Sequence, residues 1–205
     1  MNALILVDIQ NDFLPGGALP AADGNQILPV VNRLLPAFEL VVGTKDWHPP
    51  NHGSFAANHP GKKPGDVIDL NGLPQTLWPA HCVQDTPGAA FGPGFDTLRI
   101  RKVFRKGTDP GIDSYSGFFD NGHRKATGLG DFLKARQVEE VFIAGLTTDY
   151  CVKFTALDAI ELGFKARVVE DACRGVNLQP DDVAKAIEEM KQAGVVVVRS
   201  EQTLV

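Results

Sequence analysis

Long apolar runs are the first thing this sequence lacks. No stretch approaches the roughly 20 apolar residues that a membrane helix needs, so no membrane role is expected. The opening MNALILVDIQ has no basic region and carries Asp8 early, so it does not read as a signal peptide. Cysteine is scarce: Cys82, Cys151 and Cys173 stand far apart, odd in number, with no Cys-x-x-Cys pair. That argues against a disulfide framework or a thiolate zinc site, and it fits a reducing, cytoplasmic setting. Clusters of positive charge are missing too. The net charge is −5, and the most basic stretch, RIRKVFRKG, alternates with apolar residues as a strand does. Nucleic acid is therefore not an expected partner. No internal repeat, linker or low-complexity tract is visible. The chain of 205 residues, 43% hydrophobic and 22% charged, suits one domain, 1–205, with a sizeable core.

What is present has a clear rhythm. Six apolar runs read as strands: 3–10, 39–46, 98–106, 140–146, 165–171 and 194–200. Most are nearly continuous Val, Ile and Leu, the pattern of strands buried on both faces of a parallel sheet. Helical spacing fills gaps at 24–37, 148–162 and 180–193, and more weakly near 124–137. Alternating strands and helices imply an α/β fold, a three-layer α/β/α sandwich on a mostly parallel six-stranded sheet. Residues 49–97 break the rhythm. They are rich in Pro, Gly, Asn and His, and a stretch of that length without a period is expected to be functional.

Ligands of open parallel sheets bind beyond the carboxyl ends of the strands. The first run ends near Asp8, the second at Asp46 and His48, the third at Lys106, and the fourth just before Cys151. In AGLTTDYCV, Thr147 or Thr148 can cap a helix, which puts Cys151 in its first turn. A helix N-terminus and a nearby lysine both lower a thiol pKa, and free backbone N–H groups there can bind an oxyanion. Asp8 could accept the thiol proton and return it to a leaving amine. Lys106 could hold the charge state of that pair. Cys82 and Cys173 have no such setting and read as small buried hydrophobes.

A second set of residues suggests a metal. The stretch DWHPPNH places Asp46, His48 and His52 within seven residues, and His81 follows in WPAHCV. Asp46 and His48 share a face of an extended chain, and two prolines stiffen the loop. Carboxylate and imidazole donors suit zinc, iron or manganese alike. His59 and His123 have no comparable pattern.

These blocks resemble the nicotinamidase branch of the isochorismatase-like cysteine hydrolases. DIQNDF, DWHPPNHGSF, LPQTLWPAHCVQ, FRKGTDPGIDSYSGFFDNG, GLTTDYCVKFTALDA and DACRGV follow that family's order from residue 4 to about 177. The resemblance implies a catalytic triad of Asp8, Lys106 and Cys151, and an oxyanion hole from backbone N–H groups of Thr147 and Cys151. It also implies one divalent metal ion, zinc ahead of iron or manganese, held by Asp46, His48, His52 and His81. Phe13, Trp78 and Tyr115 would wall the substrate ring, and the Leu146–Thr147 peptide would be cis. The implied reaction is hydrolysis of nicotinamide to nicotinate and ammonia through a cysteine thioester, in NAD salvage, with pyrazinamide as a second substrate. Similar proteins often carry alanine where this chain has Thr147. Homo-oligomerisation stays open. Two competing readings remain: a hydrolase of another small carboxamide, a carbamoyl compound or a vinyl ether like isochorismate, and a binding protein that has lost catalysis. The intact metal block speaks against the first, and the complete triad against the second.

Overall fold

The computed structural model describes residues 1–203. In chain order the elements are β1 (Asn2–Val7), α1 (Ile27–Leu34), β2 (Leu40–Asp46), β3 (Val67–Leu70), β4 (Leu73–Thr76) and β5 (Ile100–Lys106). They continue with α2 (Leu129–Lys134), β6 (Glu140–Leu146), α3 (Lys153–Glu161), β7 (Lys165–Arg174), α4 (Asp182–Gln192) and β8 (Val196–Val198). Six strands form one sheet in the order β5-β2-β1-β6-β7-β8. Every neighbouring pair in it is parallel.

The side chains of β1 show why. Ala3, Ile5 and Val7 enter one core with Leu129 and Leu133 of α2, Ala156 of α3 and Met190 of α4. Leu4 and Leu6 enter the other, with Ile27, Val31 and Leu34 of α1. Alternate residues thus face opposite layers, both of them covered, and a continuous apolar run is the result. The expected three-layer α/β/α sandwich is the observed one.

The chain runs from β1 outward through β2 to β5, then returns to β6 on the other side of β1 and continues outward to β7 and β8. Successive connections diverge between β1 and β6, and the carboxyl ends of strands at such a point frame a crevice. The strand ends come unusually close there. Val7 pairs with Gly145. Gly145 has φ +130°, and a Cβ on it would lie 2.8 Å from Val7 N. Only glycine fits that approach.

The long stretch 49–97 is ordered, against its expected lack of period. β3 and β4 form an antiparallel hairpin. Its turn is Asn71-Gly72, both at positive φ (52° and 87°), the signature of a tight two-residue hairpin loop. Backbone bonds from Trp78 N to Ser54 O (2.8 Å) and from Ala56 N to Trp78 O (2.9 Å) tie the rest together. The expected helix at 148–162 divides into a π-helical turn, Thr148–Val152, and α3.

Candidate active site

Four chain segments deliver polar side chains to the crevice. Asp8 follows β1 in the left-handed region, φ 48°, a conformation that costs a non-glycine residue energy and recurs at functional sites. Thr44 Oγ1 donates to Asp8 Oδ1 at 2.6 Å and holds the carboxylate. Asp46 and Lys106 end the paired strands β2 and β5 directly opposite each other. Cys151 lies in the π-helical turn after β6. Single π turns inside helices are frequent at functional sites. Here Thr147 O accepts from Val152 N at 3.0 Å, and no side-chain capping bond is made by Thr147.

Lys106 sits at the centre. Its ammonium is fully shielded and has three hydrogens. They go to Asp46 Oδ1 (2.5 Å), Ser114 O (2.9 Å) and Cys151 Sγ (3.3 Å). Asp8 Oδ2 lies 2.8 Å from Nζ. It accepts no aligned hydrogen bond. It therefore has Coulombic support and a free lone pair, close to the thiol: ligand atoms of Asp8, Asp46 and Cys151 fall within 4.8 Å of one another. The structure thus brings together the three residues singled out as a triad.

The protonation states differ from one sequence expectation. Burial pushes the Cys151 thiol well above its ordinary value, and the nearby Lys106 charge only partly offsets this. The expected lowering by a helix end is overridden because burial strips a thiolate here of solvent, with the Asp8 and Asp46 charges adding repulsion. Burial also raises Asp8, although Lys106 opposes the shift. Burial alone would raise Asp46, but Lys106 and His48 hold it well below the carboxylate range. Burial alone would neutralise Lys106, yet Asp46 and Asp8 keep it charged, well above its ordinary value. Burial thus disfavours the thiolate at Cys151 and raises the basicity of the neighbouring Asp8 carboxylate.

The metal donors lie beside this group. Asp46, His48 and His81 present ligand atoms within 4.8 Å of one another, all buried. His48 Nδ1 donates to Gly107 O and His81 Nδ1 to Pro79 O, each at 2.8 Å. Backbone carbonyls thereby engage Nδ1 of both rings and leave Nε2 as the atom that would ligate a metal. Those Nε2 atoms stand 3.6 and 3.7 Å from Asp46 Oδ2. His52 belongs to an adjoining set with His48 and Asp113. Its Nδ1 meets Ser54 Oγ at 2.7 Å, while its buried Nε2 has no partner. Burial, reinforced by His48, lowers its pKa to about 4, so the ring is neutral. An orphaned buried nitrogen among oriented imidazoles and a carboxylate fits a divalent cation. The set offers oxygen and nitrogen donors and no thiolate.

A small cavity opens onto Cys151. Phe13, Trp78, Tyr115 and Thr147 line it, as does Tyr150. Trp78 Nε1 donates to Tyr115 Oη at 3.3 Å, and Gln75 Nε2 donates to the same oxygen at 3.2 Å. Tyr150 meets Trp78 edge-to-face at 4.8 Å. The Leu146–Thr147 peptide at the rim is cis.

Sequence reasoning missed several contributors. Tyr150 and Val176 line the cavity, as does Asp113. Gln10 holds Asp46 by its main chain, donating from Nε2 to Asp46 O and accepting from Asp46 N at Oε1, each at 2.8 Å. Its place in DIQNDF beside Asp8 was the available signal. Val176 closes the DACRGV block, and that was the available signal for it.

Comparison with known proteins bears on this arrangement. The isochorismatase domain model matches residues 2–202. The chain belongs to that family. A nicotinamidase of Escherichia coli (strain K12) is 51% identical over 197 residues, covering 94% of this chain and 92% of that protein. A solved nicotinamidase/pyrazinamidase of Acinetobacter baumanii is 47% identical, covers 98% of this chain and 97% of that one, and has a TM-score of 0.95. A pyrazinamidase of Pyrococcus horikoshii solved in complex with zinc is 39% identical, covers 97% and 98%, and has a TM-score of 0.79. Among the described residues, no helix is long and apolar enough to cross a membrane.

Proposed function

We propose that this protein is an amidohydrolase that converts nicotinamide to nicotinate and ammonia, and that it also hydrolyses pyrazinamide. The observation that carries the reading is the meeting of Asp8, Lys106 and Cys151, with Nζ 3.3 Å from Sγ and 2.8 Å from Asp8 Oδ2, where Cys151 opens onto a small aromatic cavity.

The chemistry follows from the protonation states. A buried neutral thiol is a poor nucleophile, so its proton must leave as sulfur attacks. Asp8 Oδ2 takes that proton while Sγ adds to the amide carbon. Lys106 donates to sulfur, stabilises the charge that builds there and keeps Asp46 ionised. Backbone N–H groups of Thr147 and Cys151 donate to the oxyanion; one such donor contributes on the order of 100- to 1,000-fold in rate. Protonated Asp8 then delivers its proton to the amide nitrogen, the C–N bond breaks and ammonia leaves a thioester on Cys151. Asp8, again a carboxylate, removes a proton from water as the water adds to the thioester. The carbon–sulfur bond breaks, Asp8 returns its proton to sulfur, and the nicotinic acid formed ionises to nicotinate as it leaves.

Asp46, His48 and His81, with His52 alongside, would hold one divalent ion, which we assign as zinc ahead of iron or manganese. When bound, it supplies a Lewis-acid anchor for a ring nitrogen. Phe13, Trp78 and Tyr115 orient the ring, each aromatic contact adding about 0.5–1.5 kcal/mol beyond buried area. We place the enzyme in the cytoplasm, in pyridine-nucleotide salvage. A panel of nicotinamide, pyrazinamide and benzamide tests the assignment by ammonia release. Turnover of the first two, with a much higher KM for benzamide, is expected. No release from nicotinamide by metal-loaded enzyme would overturn it.

A further inference from the structure

The segment after β7 reaches the cavity only through Val176, and one carboxylate holds it there. Asp149 lies in the π-helical turn two residues before Cys151 and is 4% exposed. Its Oδ1 accepts from Val176 N at 3.0 Å and its Oδ2 from Asn177 N at 2.7 Å. Neither oxygen points at the reacting groups. The chain also passes tightly against the turn: a Cβ on Gly175 would lie 2.9 Å from Asp149 Oδ1. Asn177 Oδ1 in turn accepts from Val183 N at 3.0 Å, tying the far side of the segment to α4. Val176 is half-buried and lines the cavity with Cys151 and Tyr150.

We propose that Asp149 is a positioning residue and Val176 a specificity-determining one. The Asp149 carboxylate clamps the segment so that the Val176 side chain forms part of the cavity wall and limits the ring size admitted. The inference rests on the amidase reading and deepens it. Two charge-assisted bonds to backbone N–H groups are strong enough to fix such a wall. The clamp and the nucleophile share one turn, so the wall is built in register with Sγ.

The test compares wild type with Val176→Ala, Asp149→Asn and the double variant, on nicotinamide and on 5-methylnicotinamide. Val176→Ala should raise KM for nicotinamide about five- to tenfold through lost contact, with kcat within about threefold. It should also shift selectivity toward the methylated ring by a similar factor. Asp149→Asn should do the same, because an amide nitrogen placed against the two N–H donors releases the segment. The double variant should be no worse than the poorer single variant, since both act through one wall. Additive losses, or a fall in kcat at unchanged KM for Asp149→Asn, would overturn the proposal. If Asp149→Asn does not fold, Val176→Leu decides: it should exclude the methylated substrate, and wild-type selectivity would refute it. Wild-type turnover of nicotinamide is the separate control on the amidase reading. Should that control fail, alkylation of Cys151 still reads the wall. The rate ratio of N-ethylmaleimide to iodoacetamide, followed by peptide mass spectrometry, should rise in both single variants; an unchanged ratio would refute the clamp.

Discussion

Replacing Lys106 by methionine keeps most of the side-chain volume and deletes the charge. Nζ stands 2.8 Å from Asp8 Oδ2 and 2.5 Å from Asp46 Oδ1, and the three side chains are 0–5% exposed. Removing one partner of a buried pair costs about 3–5 kcal/mol, mostly as uncompensated charge. Two carboxylates lose a shared cation here, so the upper end applies, about 5 kcal/mol at neutral pH. Each kcal/mol moves the Tm of a chain this long by roughly 2–4 °C, so Lys106→Met should melt about 10–20 °C below wild type. The deficit should depend on pH with a definite sign. In wild type, Asp46 is held well below its ordinary value and Lys106 well above. The stabilisation from Asp46 is therefore present above the unfolded carboxylate pKa and lost as pH falls through the folded one. That from Lys106 is present below the unfolded lysine pKa and lost as pH rises through the folded one. In the variant, burial and mutual repulsion raise both carboxylates, so folding favours their protonated forms. The deficit then grows as pH rises above the ordinary carboxylate value near 4 and shrinks toward it. Differential scanning calorimetry of metal-free wild type and variant at about pH 7.5 and pH 5 reads both effects. A variant melting within about 2 °C of wild type at neutral pH, or a deficit unchanged between the two conditions, would refute the reasoning.

Two further outcomes concern the metal donors. His52 has its pKa lowered to about 4, whereas the unfolded chain protonates near 6.5. Metal-free protein should lose stability as pH falls through that interval, by up to roughly 3 kcal/mol. His52→Asn should flatten this part of a plot of urea midpoint against pH, and an unchanged slope would count against the buried neutral ring. A Cβ on Gly107, at φ +62°, would run into the His48 ring. Gly107→Ala should therefore reduce bound metal by about tenfold or more in elemental analysis while the circular dichroism spectrum stays native. Full metal content would show that His48 is not needed as a ligand.

The central sheet was legible because β1 and β6 are covered on both faces and write that burial as unbroken aliphatic runs. The edge strands were harder. β5 is exposed at Arg101, Lys102, Val103 and Arg105, so its sequence alternates like a surface ribbon. β8 stops at Val198, and Ser200 then bonds Asp171 through N and Oγ, at 2.7 and 2.5 Å. β7 runs on to Arg174 through an irregularity in its pairing with β6, a feature with no periodic signature. The β3–β4 hairpin did have a signal, Asn71-Gly72, masked by the surrounding proline and histidine. Asp8, Asp46, Lys106 and Cys151 could be named because each ends or follows a run, and parallel strands carry such ends to one rim. The raised thiol pKa could not, because it depends on how completely three remote segments enclose Sγ. The roles of Asp113 and Val176 rest likewise on segment packing that leaves no mark in local spacing.

The central claim is that Cys151 is the nucleophile of an amidase. Ammonia release from nicotinamide by wild type and Cys151→Ala, side by side at matched metal content, tests it most directly. The account predicts release by the wild type and a loss of at least about a thousandfold in the variant. Release by Cys151→Ala at the wild-type rate would contradict it.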